Sequence, residues 1–273
     1  MTISLTGTLV LIGAGKMGGA MLEGWLKAGV SPRQVVALDP SPPPEVLALL
    51  AKHGVRHNPG IVSITDAEVL LAAVKPQVMD EVLAPLVPLG RSHPLILSIA
   101  AGKTIASFER HFGSDAAVIR TIPNTPAAVG QGITAMAANR NVSAQQMVLA
   151  EQLLQSIGEV VRVDDEALID AATAVSGSGP AYVFYLTECL AAAAEAVGLP
   201  PDVAVKLARA TVAGSGALMR SSGIDAGTLR QNVTSPKGTT YEALKVLMAE
   251  DGMKPLMVEA VKAAARRSRE LAS

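Results

Sequence analysis

Gly13-Ala14-Gly15-Lys16-Met17-Gly18 follows a short apolar run, Thr8 to Ile12, and opens a helical pattern that continues to about Ala28. A G-x-G-x-x-G string is common by itself. Set between a strand and a helix, it commits the chain to a strand-turn-helix unit whose turn another molecule can approach. Gly13 allows the tight turn, and Gly15 lets the backbone come close to a pyrophosphate. Gly18 lets helix and strand pack tightly, while the helix N-terminus offers free N–H groups to an anion. Gly13, Gly15, Lys16, Met17 and Gly18 are therefore candidates for holding a dinucleotide. The alternative is an ordinary turn at a sheet edge.

The rest of the first half repeats the same alternation. Apolar strand-like runs are expected at Val35 to Leu38, Val69 to Val74, Leu95 to Ile99, Ala117 to Ile122, Gly132 to Ala138 and Glu159 to Val163. Helical patterns fall between them, from Pro44 through Leu50, from Thr104 to Phe112 and from Ser143 to Ser156, with Gly29 and Gly54 placed as C-terminal caps. Strands alternating with helices predict an α/β fold, a Rossmann-like doubly wound, mostly parallel sheet. After Asp164-Asp165 the β-branched runs stop and Ala-rich helical patterns continue to the end. The expected organisation is a dinucleotide-binding domain over 1–164 and an all-α domain over 165–273, in keeping with a length of 273 residues. Alanine-rich helices with few aromatics give one another little area to bury, so the second domain is expected to need a partner subunit.

Composition excludes several classes. Lys plus Arg is 23 against 24 acidic residues, which leaves no basic footprint for nucleic acid and no polybasic membrane patch. Mean hydropathy is +0.36, yet no uninterrupted apolar run approaches the ~18 to 20 residues of a spanning helix. Cys189 is the one cysteine, so no intrachain disulfide forms, and Met1 to Gly7 lacks the basic start and apolar core of a signal peptide. A cytoplasmic protein is expected. No Cys/His/carboxylate cluster has metal-ligand spacing, and His53, His57, His93 and His111 are scattered.

In an open α/β sheet, ligands sit beyond the carboxyl ends of the strands. The second strand ends in Asp39, about 20 residues beyond Gly18, where a carboxylate would accept hydrogen bonds from an adenosine ribose and repel a 2′-phosphate. Pro40 to Ala51 carries no Lys or Arg, which leans towards NAD, whereas Ser41 is able to donate to a phosphate. Asp39 also reads as a simple turn former before Pro40. Three other strand ends are unusual: Ala73-Val74-Lys75-Pro76, Ser98-Ile99-Ala100-Ala101-Gly102, and Pro123-Asn124-Thr125-Pro126.

Those three segments, with Ser176-Gly177-Ser178-Gly179-Pro180-Ala181-Tyr182 and Val233-Thr234-Ser235-Pro236-Lys237-Gly238-Thr239-Thr240, resemble pyrroline-5-carboxylate reductases in kind and in order over nearly the whole chain. The resemblance implies reduction of 1-pyrroline-5-carboxylate to L-proline by NADPH or NADH, the last step of proline biosynthesis. It implies a Rossmann domain and a helical domain intertwined with a second subunit, an active site at that dimer interface, and dimers that assemble further. It assigns cofactor contacts to Val74, Lys75, Pro76, Ala100, Ala101, Pro123 and Asn124, and places Asn58 near the adenosine ribose. Substrate contacts fall to Ser235, Gly238, Thr239 and Thr240, with the Thr240 hydroxyl at the ring nitrogen as proton donor or orienter.

The residues alone support such a cradle. Gly238 and Thr239 can present N–H groups to a carboxylate at a helix N-terminus, although Ser and Thr there also read as plain caps. One departure stands out: the family usually has glycine where this chain has Lys237. Rival readings are a reductase of another small cyclic imine or carboxylate, and a dinucleotide-binding sensor without turnover. A β-hydroxyacid dehydrogenase would carry a lysine early in its helical domain, and Leu168 to Ser178 has none.

Overall fold

The computed structural model describes residues 3–272; Met1 and Thr2, part of the stretch read for a signal peptide, lie outside them. The chain divides into two compact units, Met1–Gly177 with Ala265–Ser273, and Ser178–Ala264. The first unit thus runs on past Asp165, where the strand-forming sequence ends, to Gly177.

Among the described residues, eight strands build the first unit: β1 (Thr8–Ile12), β2 (Val35–Leu38), β3 (Arg56–His57), β4 (Ala67–Ala72), β5 (Leu95–Ser98), β6 (Ala117–Ile122), β7 (Gly132–Ala138) and β8 (Gly158–Arg162). They form one sheet in the order β3-β2-β1-β4-β5-β6-β7-β8. Every pairing is parallel except β6 with β7, joined antiparallel through a short connection. The order 3-2-1-4-5-6 is that of a doubly wound dinucleotide-binding sheet, with its reversal point between β1 and β4.

Because side chains alternate across a strand, each strand feeds two cores. Leu9, Leu11, Val35, Ala37, Val69, Leu71, Leu95 and Leu97 face one side, where Met21, Leu22 and Trp25 of α1 (Lys16–Lys27) join Ala150, Leu153 and Leu154 of α5 (Ala144–Gln155). The single tryptophan is fully buried, and its indole N–H donates to the Leu153 carbonyl at 2.9 Å. Val10, Ile12, Val36, Leu70, Ala72, Ile96 and Val118 face the other side. They meet Met79 and Leu83 of α3 (Met79–Leu83) and Ile105 and Phe108 of α4 (Ile105–Phe112). On the flank of the sheet, α2 (Pro44–His53) ends at Gly54 in the left-handed conformation.

Four strands differ from expectation: β5 ends at Ser98 instead of Ile99, β8 runs one residue earlier as Gly158–Arg162, and β4 and β3 depart further. β4 begins at Ala67 and ends at Ala72 rather than running from Val69 to Val74. Its start is held because Glu68 accepts the N–H groups of Thr6 and Gly7. Its end is set because Ala73-Val74 passes over the Gly13 turn. β3, two residues at the sheet edge, was too short and polar to show a period.

The second unit is helical. α7 (Gly179–Ala196) packs on α8 (Pro201–Ser222), followed by α9 (Ala226–Asn232), α10 (Thr239–Leu247) and most of α11 (Met253–Ala272). α6 (Leu168–Ala172) belongs to the first unit and runs into one π-helical stretch, Thr173–Gly177.

Candidate functional site

The glycine turn has the shape its spacing demands. Gly13 sits at φ +91°, where a Cβ would lie 2.7 Å from Val74 Cγ1 and 2.9 Å from the Ala73 carbonyl oxygen. Only glycine fits, and Val74 closes the back of the turn. A Cβ at Gly18 would collide with the Gly13 carbonyl. At Gly15, by contrast, a Cβ would meet nothing within 4 Å, so its smallness serves open space in front of the turn and no packing partner. Gly15 is the N-cap of α1, no side chain caps the helix, and its first turn holds no acidic residue. Uncapped N–H groups beside an open glycine fit the pyrophosphate of a dinucleotide. Lys16 is exposed and Met17 half-buried in that first turn.

Asp39, just beyond β2, is bonded back to this turn. Its Oδ2 accepts from the Ala14 N–H at 2.6 Å and its Oδ1 from the Ser41 N–H at 2.8 Å. Asn58, at φ +48°, lies beside it. Asp39, Ser41 and Asn58 therefore meet the Gly13–Gly18 turn at the carboxyl ends of β1 and β2.

The neighbouring strand ends follow in step. The Ala73 N–H donates to the Ile12 carbonyl at 2.7 Å and the Ile99 N–H to the Ala72 carbonyl at 3.1 Å. Lys75 is exposed ahead of Pro76, which starts a short 3-10 turn. Ala100 is buried and Ala101 exposed, while Gly102 is at φ +76° with a Cβ position 2.7 Å from the Leu271 carbonyl oxygen. Just past these loops, Lys103 Nζ donates to Asp80 Oδ2 of α3 at 2.7 Å, and His111 Nε2 of α4 lies 3.0 Å from Asp80 Oδ1. The bonds from Lys103 and His111 hold the Asp80 carboxyl below the usual carboxylate range.

Pro123 and Asn124 are buried at the end of β6. The Asn124 side chain faces the backbone: its Oδ1 accepts from Ile133 N–H at 3.0 Å and its Nδ2 donates to the Ser176 carbonyl at 3.1 Å. Its amide shapes the loop and ties it to the π-helical stretch.

Sequence reasoning missed Arg120. It stands in β6 with a side chain 3% exposed, its Nη1 3.1 Å from Glu166 Oε1 and its Nη2 3.1 Å from Asp170 Oδ1. Ser268 Oγ donates to the same Asp170 oxygen at 2.7 Å, and the Ile105 N–H to Glu166 at 2.9 Å. This buried network fixes the strand that ends in the Pro123 loop. A lone arginine in the run Ala-Val-Ile-Arg-Thr-Ile was the available signal.

In the second unit, Ser235-Pro236-Lys237-Gly238 is a tight turn closed by Gly238 N–H to Ser235 carbonyl at 3.0 Å. Lys237 is exposed at φ +59°, the left-handed conformation that glycine adopts most cheaply. A Cβ at Gly238 would strike Ser235 Oγ. Gly238 is the N-cap of α10 and no side chain caps the helix, so the capping alternative for these hydroxyls does not hold. Thr239 is exposed and Thr240 half-buried in the first turn. The turn offers uncapped N–H groups and three hydroxyls within six residues, a cradle suited to a small carboxylate with an adjacent polar atom.

Two family models match. One, described as "Pyrroline-5-carboxylate reductase dimerisation", covers residues 166–271, and the other, "NADP oxidoreductase coenzyme F420-dependent", covers residues 8–102. The pyrroline-5-carboxylate reductase of Pseudomonas aeruginosa is 41% identical over 98% of this chain and 97% of its own length. That of Glycine max is 36% identical over 97% and 96%. Among solved structures, a pyrroline-5-carboxylate reductase from Coxiella burnetii superposes with a TM-score of 0.91 at 33% identity, over 98% of this chain and all of that one. The Plasmodium falciparum pyrroline carboxylate reductase with NADP bound gives 0.81 at 28% identity, over 98% and 99%.

Proposed function

The chain belongs to the pyrroline-5-carboxylate reductase family, and from that premise we propose a division of labour in which the first unit holds the dinucleotide and the turn before α10 holds the substrate. The enzyme reduces 1-pyrroline-5-carboxylate to L-proline with NAD(P)H. Reduction of another small imine or carboxylate, or a silent sensor role, is not favoured by relatives that share nearly the full chain. The observation that carries the division is the pair of uncapped helix N-termini, one behind the open Gly15 and one behind Gly238.

Bound NAD(P)H supplies the hydride that the imine carbon accepts. The protein's share is positioning and proton placement, and holding the reacting atoms in register is worth several kcal/mol. Gly13, Gly15 and Gly18, with Lys16 and Met17, cradle the pyrophosphate. Val74, Lys75, Pro76, Ala100, Ala101, Pro123 and Asn124 form the strand ends against which the nicotinamide lies. Ser235, Gly238 and Thr239 hold the substrate carboxylate, and the Thr240 hydroxyl hydrogen-bonds the ring nitrogen, which gains a proton as the C=N bond becomes C–N. Among the described residues no hydrogen bond engages the Ser235, Thr239 or Thr240 hydroxyls, which supports their availability to a ligand.

The assembly is homo-oligomeric through the dimerisation region; we place it as a homodimer that associates further, working in the cytoplasm. Among the described residues no helix is long and apolar enough to cross a membrane. Thr240→Val tests the substrate assignment. Turnover should fall by about 10²-fold, the scale of a lost proton donor, while calorimetric dinucleotide binding stays as it was. Unchanged turnover would remove Thr240 from the chemistry.

A further inference from the structure

Asn58 is engaged in a way that its position alone does not suggest. The Asp39 N–H donates to Asn58 Oδ1 at 2.9 Å, and Asn58 Nδ2 donates to the Asp39 carbonyl at 2.7 Å. Both ends of one side-chain amide thus grip the two polar groups of one residue's backbone. The grip needs Asn58 in the left-handed region, φ +48°, which asparagine tolerates better than most side chains. Its own N–H donates to the Ala37 carbonyl at 2.9 Å, fixing the clamp to β2. His57 adds a third contact, its Nε2 2.9 Å from the Asp39 carbonyl.

The clamp fixes the backbone, and the side chain is fixed in turn by the Ala14 and Ser41 N–H groups, one on each carboxylate oxygen. Each ionised oxygen has further acceptor capacity. Two acceptors held rigidly beside the Gly13–Gly18 turn match the two hydroxyls of a ribose diol. They are the wrong partners for a phosphate dianion at the same place, where like charges repel. The surroundings offer no relief on that stretch: residues 40–51 contain no Lys or Arg, and Glu45 adds a carboxylate in the first turn of α2. The first arginine after that stretch, Arg56, points to the other end of β1, where its Nη2 donates to Thr8 Oγ1.

We propose that Asn58 is a positioning residue: it clamps Asp39 so that the carboxylate receives the ribose diol of NADH and turns away the 2′-phosphate of NADPH. The inference rests on the reading that the Gly13–Gly18 turn holds the dinucleotide. It also changes the role of Asn58, which acts through Asp39 instead of touching the ribose.

Calorimetric titration of NADH and NADPH, paired with KM and kcat for each, tests it on the full-length wild type, Asp39→Asn and Asn58→Gly. The wild type should bind NADH on the order of tenfold tighter than NADPH, the scale of one charge-assisted hydrogen bond. Asp39→Asn should abolish or invert that ratio. Asn58→Gly keeps the left-handed backbone at no steric cost and removes only the clamp. It should narrow the ratio several-fold, mainly through weaker NADH binding and a higher NADH KM, with the unfolding temperature held. A merely structural Asn58 would lower the unfolding temperature and leave the ratio alone, and that result overturns the proposal. So does a wild type that binds NADPH as tightly as NADH. If neither dinucleotide binds the folded protein, the site reading itself falls and takes the inference with it.

Discussion

The two units solve the problem of burying apolar surface in opposite ways. The sheet unit completes its own cores: Trp25 and Phe108 are wholly inaccessible, together with inner-strand residues such as Leu9, Leu11 and Leu71. In residues 178–264 the buried residues, among those described, are Ala191, Ala204 and Ala208, all small. Larger apolar side chains stand out from its helices, Phe184 at 62% exposure, Tyr185 at 67% and Val246 at 72%. A helix pair that meets through alanines packs closely but removes little area from water. The dimerisation match over 166–271 supplies what is missing, a second copy. One unit is therefore an independent scaffold for a cofactor, and the other is half of a structure that its partner finishes.

That contrast can be broken at several points. The largest effect is expected from Trp25→Ala, which empties a filled site in the self-sufficient core and should cost about 3–5 kcal/mol in denaturant unfolding. A loss near zero would show that this core does not carry the unit. Next comes Leu186→Glu on α7, at a side chain 43% exposed in the single chain. If the helical unit is finished by its partner, the charge should weaken self-association by at least 2 kcal/mol, about 30-fold, in sedimentation velocity. An unaltered dimer would put the interface elsewhere.

Lys237→Gly probes the substrate turn. A non-glycine residue in the left-handed region costs about 1–2 kcal/mol, partly offset by the greater freedom of glycine in the unfolded chain. The variant should therefore be as stable as the wild type or up to about 1 kcal/mol more stable by thermal unfolding, and a less stable variant would assign Lys237 a compensating contact.

The smallest effect belongs to Asp80, whose side chain is 61% exposed. Its folded-state pKa lies below the unfolded value of about 3.9, so its bonds to Lys103 and His111 stabilise the fold above that value and are lost as the pH drops through the lower, folded one. Asp80→Asn should flatten the acid side of the stability profile by a few tenths of a kcal/mol and no more, since exposed pairs are screened. A larger change would make the clamp from α3 to Lys103 and α4 a structural hinge of the sheet unit.

The same contrast decides what was legible in the sequence. The doubly wound sheet announced itself because buried parallel strands are continuous apolar runs, and β1, β2, β6 and β7 have the bounds their sequence predicts. The glycine turn was legible because steric exclusion leaves only glycine at Gly13 and Gly18. Side-chain bonding across loops was not legible: nothing in the spacing of Asp39 and Asn58, or of Arg120, Glu166 and Asp170, shows that they meet. The two asparagines singled out as cofactor contacts, Asn58 and Asn124, prove to be bonded to backbone, because a loop with unpaired N–H and C=O groups must satisfy them locally. Self-association was legible from much alanine and few aromatics together, since small side chains limit what one chain can bury.

The most direct test of the division of labour follows the absorbance of reduced dinucleotide in the presence and absence of 1-pyrroline-5-carboxylate. Oxidation that depends on the imine and yields one L-proline per dinucleotide consumed is the expected result, with Thr240→Val still binding the dinucleotide but scarcely oxidising it. Folded wild-type protein that binds the dinucleotide and leaves it reduced, whatever the imine concentration, would contradict the account.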